Sequence, residues 1–182
     1  LGTGHPAGAP LRIVTISYSR SVRRVLEHLA RDRPVHVACS EGRPMLEGRR
    51  MAGRLAAAGI PVTFFTDAAI AHALDDAHEV VVGADAVAPE WFLNKSGTRL
   101  LVATAAQLGI PVYVVASREK FVGAEAARRL RPREGDPAEV WDPPRGVAVR
   151  NPYFEQVPVE LVSGLITDVG VLPPAEVVKV II

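Results

Sequence analysis

The chain has 182 residues, with 21 Lys or Arg against 20 Asp or Glu, which gives a net charge of +1. Such a balance excludes the strong positive field that draws proteins to nucleic acid or to anionic membranes. The single cysteine excludes an internal disulfide, no apolar run approaches the roughly 18 residues of a membrane-spanning helix, and the start does not read as a signal peptide. We therefore expect a cytoplasmic protein with neither a nucleic-acid nor a membrane partner.

Short apolar segments that indicate buried strands recur along the chain. They cover residues 12–17, 35–39, 62–65, 79–83, 111–116 and 165–168, with a weaker signal at 146–149. Helical periodicity lies at residues 20–31, 44–58, 67–73, 97–108 and 174–182. Strands that alternate with helices and are apolar on both faces favour a mostly parallel sheet covered by helices on both sides. The predicted fold is therefore a three-layer α/β domain.

Two segments depart from this alternation. Residues 1–10 read as a linker or tail, which leaves residues 11–182 as a single domain. Residues 131–145 are rich in Pro, Gly and charge, and we expect them to form a long surface excursion or flap.

The strongest candidate for chemistry is Asp85, which directly follows the strand predicted at 79–83. In open α/β sheets, ligands bind at the carboxyl ends of the strands. A carboxyl group held there can act as a general acid or base. The alternative role for Asp85 is to cap its own turn.

A second candidate follows within ten residues, where Asn94 and Lys95 precede a predicted helix. The free N–H groups and the dipole of a helix N terminus favour a phosphate, and Lys95 would add charge while Ser96 and Thr98 would offer hydroxyls. The alternative is an N-cap by Asn94 or Ser96 beside a solvated lysine. The spacing is not that of a Walker A loop, so no nucleoside triphosphate is implied.

Other polar residues also follow predicted strands. Arg43 could bind a phosphate or carboxylate through its planar guanidinium, or form a structural salt bridge. Ser17, Tyr18 and Ser19 offer hydroxyls to the same edge, although a hydroxyl cluster here could instead cap the next helix. Cys39 is interpreted as a buried small hydrophobe. The histidines lack metal-ligand spacing, so we expect neither a metal site nor a cofactor.

Seven phrases of the sequence follow one another in a recognisable order. They are TISYS at 15–19, SEGRP at 40–44, FFTDAA at 64–69, VVVGADAV at 80–87, NKSGT at 94–98, GIPVYVVASREKF at 109–121 and LITDVGVLPP at 165–174. In this order they resemble the translation initiation factor 2B α/β/δ subunit family, which also contains methylthioribose-1-phosphate isomerase and ribose-1,5-bisphosphate isomerase. The resemblance implies the Rossmann-like, carboxyl-terminal domain of that family and dimerisation through it.

The resemblance also implies roles for individual residues. In the family's isomerases, which convert an aldose 1-phosphate to a ketose, Asp85 matches the catalytic Asp, and Asn94 and Lys95 match a phosphate-binding pair. Ser17 falls at the position of the catalytic Cys, and a hydroxyl is far less acidic than a thiol. Glu47 stands where the isomerases usually have Gln, and its charge would repel a phosphate. In the isomerases an amino-terminal helical domain supplies further phosphate ligands, and we expect those ligands to be missing from these 182 residues.

Three functional hypotheses remain open at this point. The first is an initiation-factor-2B-related protein that binds a phosphorylated sugar or nucleotide, or a protein partner, with isomerase chemistry lost or weakened. The second is an active aldose–ketose isomerase acting on a sugar 1-phosphate. The third is a homodimeric interaction module whose crevice is vestigial.

Overall fold

The computed structural model describes residues 8–132 and 134–177, which contain ten strands and four α-helices. The strands are β1 (Leu11–Thr15), β2 (Val35–Ser40), β3 (Val62–Phe65), β4 (Glu79–Gly83), β5 (Ala86–Val87), β6 (Trp91–Lys95), β7 (Val112–Val115), β8 (Phe154–Pro158), β9 (Gly164–Thr167) and β10 (Gly170–Leu172). The helices are α1 (Arg20–Asp32), α2 (Glu47–Ala57), α3 (Thr98–Gln107) and α4 (Ala124–Arg129). None of the helices within these residues is long and apolar enough to cross a bilayer.

Seven strands form one sheet in the order β10-β9-β7-β4-β1-β2-β3, and only β10 runs antiparallel to its neighbour. The predicted α/β fold with a mostly parallel sheet is therefore confirmed. The remaining strands form a small antiparallel sheet in the order β5-β6-β8. This small sheet continues directly from β4 and places Asp85 at the junction between the two sheets.

The hydrophobic core is divided by the main sheet into two clusters. Because side chains alternate along a strand, Val80 and Val82 of β4 face one cluster and Val81 faces the other. The first cluster contains Phe92 of the small sheet and Leu101 of α3. The second contains apolar side chains of α1 and α2, namely Val22, Leu26, Met51 and Leu55. Helices α1 and α2 therefore cover one face, and α3 with the small sheet covers the other.

Several predicted elements differ from the structure. Residues 146–149 form no strand, because Gly146 adopts a positive φ of 98° within a turn. Residues 67–74 form a 3₁₀ helix instead of an α-helix. Helix α2 begins at Glu47 and not at residue 44, since Leu46 at its N-cap has a left-handed φ of 58°. Of the helix predicted at 174–182, residues 174–176 form a 3₁₀ turn, and residues 178–182 lie outside the described part, as do residues 1–7 of the predicted tail.

The sequence analysis did not predict the small sheet. Its central strand, β6, ends with the buried polar residues Asn94 and Lys95, so neither an alternating nor an apolar pattern marks it as a strand. The described residues of the segment 131–145 are mostly exposed, as expected of a flap. Glu139 of this segment accepts hydrogen bonds from Asn151 and Tyr153, which directly precede β8.

Candidate functional site

The carboxyl ends of the parallel strands bring together most of the polar residues that the sequence singled out. The segment 17–19 follows β1, Arg43 follows β2, Asp85 follows β4, and Lys120 lies beyond β7. These segments meet at one edge of the sheet, which is where ligands bind in open α/β folds. Two distinct features occupy this edge, a polar cleft around Asp85 and a buried ion pair of Lys95.

The cleft around Asp85 has a volume of about 300 Å³. Its polar lining comes from four separate segments and consists of Tyr18, Ser19, Arg20, Ser21, Asp85, Asn94, Ser117, Glu119 and Lys120. The predicted grouping of Asp85 with Tyr18, Ser19 and Asn94 is therefore present in the structure. Hydroxyl, amide, carboxylate and ammonium groups in one cleft can bind a ligand that carries both hydroxyls and negative charge.

Asp85 lies at the mouth of this cleft, and its backbone N–H donates to the carbonyl of Leu93 at 2.8 Å. The residue is exposed, but its carboxyl group is partly withdrawn from water. This desolvation raises the pKa of Asp85 above the ordinary value of 3.8, and the nearby ammonium of Lys120 acts in the opposite direction. A carboxyl group with a raised pKa can both accept and donate a proton closer to neutral pH.

Ser19 serves two purposes at this edge. Its hydroxyl accepts a hydrogen bond from the backbone N–H of Val22 at 3.3 Å and so caps α1. The same residue packs closely on Gly83 at the end of β4, where an added Cβ would lie 2.8 Å from the Ser19 Oγ. Glycine at position 83 thus permits the close approach of α1 to β4 that forms one wall of the cleft.

Lys95 does not line the Asp85 cleft. Its ammonium donates to the Oε1 of Glu47 at 3.1 Å and lies 5.1 Å from the centre of the Tyr153 ring. Successive side chains of a strand point to opposite faces, so Asn94 faces the cleft while Lys95 does not. Asp85 and Lys95, the two candidate groups that the sequence singled out, therefore do not line one cleft.

The N terminus of α3 is occupied by a side chain of the protein itself. The Oε1 of Glu155 accepts from the backbone N–H groups of Gly97 at 2.7 Å and Arg99 at 2.9 Å. The Ser96 hydroxyl donates to the carbonyl of Pro152, and the Thr98 hydroxyl donates to the carbonyl of Lys95. The predicted phosphate site at this terminus, with Ser96 and Thr98 as ligands, is already filled by these internal bonds.

Within residues 8–132 and 134–177, Arg43 does not form the predicted structural salt bridge. Its guanidinium donates to the backbone carbonyl of Val140 in the 131–145 flap at 3.1 Å. The backbone N–H groups of Gly42 and Arg43 both donate to the carboxylate of Asp67, at 2.8 and 2.7 Å. Arg43 therefore helps to hold the flap against the loop that follows β2.

Ser17, at the family's Cys position, is nearly buried and has a left-handed φ of 61°. Gly42 separates Ser17 from Glu47 of the Lys95 ion pair. A Cβ built on Gly42 would lie 3.4 Å from the Ser17 Cα and 3.2 Å from the Glu47 Oε2. A positive φ in a non-glycine residue carries backbone strain, which is concentrated at functional sites in many proteins. Ser17 thus connects the Lys95 ion pair to Tyr18 and Ser19 of the Asp85 cleft.

Cys39 lies on β2 and is fully buried. Burial raises the pKa of its thiol to about 12, with a smaller contribution from the charge of Asp67. Cys39 therefore behaves as a small hydrophobe, as the sequence indicated. Within residues 8–132 and 134–177, no cluster of three or more His, Cys, Asp or Glu side chains could hold a metal ion.

Several residues of this edge were not predicted from the sequence, among them Lys120, Tyr153 and Glu155. Lys120 faces Asp85, and the only available signal was that it is one of three lysines in an arginine-rich chain. Tyr153 and Glu155 come from β8 and its approach, more than 50 residues beyond the groups they contact. No local pattern identifies such long-range partners.

Comparison with known proteins gives a consistent result. The initiation factor 2 subunit family matches residues 9–174. The methylthioribose-1-phosphate isomerase of Chloroflexus aurantiacus is 36% identical over 173 residues, which cover 89% of this chain and 50% of that protein. The 5-deoxyribose 1-phosphate isomerase of Moorella thermoacetica is 34% identical over 173 residues, covering 89% of this chain and 49% of that protein.

Among solved structures, the delta subunit of translation initiation factor eIF-2B from A. fulgidus superposes with a TM-score of 0.85 and 26% identity. The match covers 96% of this chain and 57% of that structure. The chain spans about half the length of the curated relatives it matches. On the family match and these relatives, the chain belongs to the initiation factor 2 subunit family.

Proposed function

We propose that the chain acts as an aldose–ketose isomerase on a sugar 1-phosphate, through the cleft of its Rossmann-like domain. The observation that carries this proposal is Asp85, a carboxyl group with a raised pKa at the mouth of a polar cleft. The two isomerases described above, whose names specify sugar 1-phosphates, support the same reaction class. They favour retained chemistry over the lost or weakened activity that was our first hypothesis.

Aldose–ketose isomerisation requires a group that exchanges protons with the sugar, and Asp85 offers such a group in this cleft. In a sugar 1-phosphate the C1 oxygen carries the phosphate, so the bond between C1 and the ring oxygen breaks and the ring oxygen gains a proton. A hydrogen moves from C2 to C1, and the C2 hydroxyl loses its proton to become the ketone. A group that first accepts and then returns a proton serves this exchange, and its pKa should lie near the working pH. The ammonium of Lys120 would stabilise negative charge that develops on the sugar oxygens. Asn94, Ser19 and Tyr18 would contact the sugar hydroxyls.

The test is turnover by the 182-residue chain with methylthioribose 1-phosphate, 5-deoxyribose 1-phosphate and ribose 1,5-bisphosphate as probes. Ketose formation is followed by NMR, and Asp85→Asn is expected to lower kcat by at least about 100-fold. Asp32→Asn is the matched control, because Asp32 is exposed at the far end of α1 and should leave turnover unchanged. Absence of turnover with all three probes, or an active Asp85→Asn variant, would overturn the proposal.

A second candidate is a domain that binds a phosphorylated ligand without converting it. Ser17 favours this candidate, because it stands at the position of the family's catalytic Cys and a hydroxyl is far less acidic than a thiol. Calorimetry separates the two functions. A ligand that binds equally well to the native chain and to Asp85→Asn, and that NMR shows unchanged after binding, would identify a binding domain.

We further propose that the domain forms a homodimer through the surface between α3 and the 3₁₀ helix Asp67–Leu74. Leu100 of α3 is 68% exposed there, beside an apolar groove lined by Ala68, Ala71 and Leu101. An exposed apolar patch of this kind is typical of protein contacts, and the A. fulgidus relative is itself described as a subunit. Light scattering of the native chain should give twice the chain mass, and Leu100→Glu should give the mass of one chain. A native chain that is monomeric would exclude the dimer.

A further inference from the structure

The ion pair of Lys95 with Glu47 is unusually well protected from water. The Lys95 side chain is 5% exposed and that of Glu47 is 35% exposed. A lysine buried to this extent requires a counter-charge, because an uncompensated buried cation is strongly destabilising. Glu47 supplies that charge from the first residue of α2, which lies 48 positions away in the sequence.

The pair is only partly satisfied, and this distinguishes it from a closed structural salt bridge. A lysine ammonium has three donors. Among residues 8–132 and 134–177, only Glu47 accepts one of them, and the Tyr153 ring lies against the same group. The second carboxylate oxygen, Glu47 Oε2, is buried and accepts no hydrogen bond within the described residues. A buried acceptor without a partner is energetically costly, so a ligand hydroxyl or ammonium that donates to it would be favoured.

The position of the pair places it beside the cleft. Glu47 Oε2 lies beside Gly42. A Cβ built on Gly42 would be 3.2 Å from this oxygen and 3.4 Å from the Ser17 Cα. Ser17 in turn leads directly into Tyr18 and Ser19, which line the Asp85 cleft. A ligand that extends from Asp85 along the end of β1 would therefore reach the pair.

We infer that the Glu47 carboxylate competes with the anionic group of the ligand for Lys95. It pairs with Lys95 until a ligand displaces it, and it therefore determines which ligand charge the site accepts. The inference rests on the proposed function, since it concerns the same site. A doubly charged phosphate at Lys95 must approach the Glu47 carboxylate and is repelled by it. The singly charged form of a sugar phosphate is favoured over the doubly charged form, because it keeps one hydroxyl that can donate to Glu47 and one negative charge for Lys95.

The test compares binding of inorganic phosphate by the native chain and by Glu47→Gln, using calorimetry at fixed ionic strength. Glutamine removes the charge and keeps an acceptor for Lys95. We expect at least about tenfold tighter phosphate binding, because one like charge within hydrogen-bonding range of the anion is removed. Phosphate should also raise the Tm of Glu47→Gln more than that of the native chain. Neutral ribose should bind both proteins alike.

Two control variants make the result specific. Glu125→Gln removes one carboxylate from the exposed ion pair with Arg129 on α4 and gives the same net charge, so its phosphate affinity should equal the native value. The double variant Glu47→Gln/Lys95→Met should lose the gain. Equal phosphate affinity in Glu47→Gln and the native chain would overturn the inference, as would a gain of the same size in Glu125→Gln.

The role of Glu47 can be tested separately from the proposed isomerase activity. Native turnover that depends on Asp85, together with no phosphate gain in Glu47→Gln, would refute the role of Glu47 and leave the isomerase proposal standing. Tighter phosphate binding by Glu47→Gln without turnover by either protein would support Glu47 as the competitor and refute the isomerase. No binding and no turnover by any variant would refute both.

Discussion

Removal of the Glu155 carboxylate should destabilise the protein through the N terminus of α3. One oxygen of Glu155 accepts hydrogen bonds from the N–H groups of Gly97 and Arg99, at 2.7 and 2.9 Å. Hydrogen bonds to a charged group contribute about 1.5–3 kcal/mol each when buried, and a carboxylate near a helix N terminus adds about 0.3–1 kcal/mol. Arg99 is exposed and Gly97 half-buried, so water replaces part of both bonds.

We therefore expect Glu155→Ala to lower the free energy of unfolding by about 1–2 kcal/mol, in the range of a lost helix cap. For a chain of this size, that corresponds to a fall in Tm of roughly 2–8 °C. Glu155→Gln should lose about half as much, since its amide oxygen can still accept both bonds but carries no charge. Urea unfolding followed by circular dichroism measures the change.

Glu160→Ala is a suitable control for this experiment. Glu160 lies on the 3₁₀ turn just after β8 and is exposed, so its removal should change the stability by no more than about 0.5 kcal/mol. Equal stability of Glu155→Ala and the native chain would refute the assignment of Glu155 as the cap. It would also reopen the N terminus of α3 as an anion site.

Three further predictions concern single side chains. The folded state holds the pKa of Asp85 above its ordinary value of 3.8, so ionisation of this group lowers stability as the pH rises through the folded pKa. Asp85→Asn should therefore raise the Tm at pH 7 and leave it unchanged below about pH 3.5. A lower Tm of Asp85→Asn at pH 7 would contradict this sign. Cys39, with a thiol pKa of about 12, should resist iodoacetamide at pH 8 in the folded protein and react after unfolding. Rapid labelling of the native chain would refute the burial of this thiol. Phe92→Ala should cost about 3–5 kcal/mol because the side chain is fully buried, and a loss below 1 kcal/mol in urea unfolding would show that the small sheet does not share the core.

The parallel sheet could be predicted from the sequence because its central strands are buried on both faces. In β4, Val80, Val81 and Val82 are all fully buried, so the strand reads as a continuous apolar run. Once the sheet is known to be parallel, the carboxyl ends of its strands define one edge, and Asp85, Tyr18 and Ser19 follow as cleft residues. The physical reason is that these positions depend on local pattern and strand direction alone.

The small sheet and its consequences could not be predicted in this way. Strand β6 ends with Asn94 and Lys95, whose burial is possible only because Thr98 and Glu47 supply their hydrogen bonds. The sequence placed both residues in a loop before a helix, where they would share one ligand. Only the pairing of β6 with β8 fixes their alternation and turns them to opposite sides.

The amino-acid sequence by itself thus determined the α/β fold and the edge of the sheet at which Asp85, Tyr18 and Ser19 meet. Tertiary structure alone decided that Glu155 fills the N terminus of α3 and that Glu47 holds Lys95. Each of these carboxylates reaches its partner across about 50 residues or more of chain. Local pattern carries no information about such a meeting, because it depends on which distant segments the completed sheets bring together.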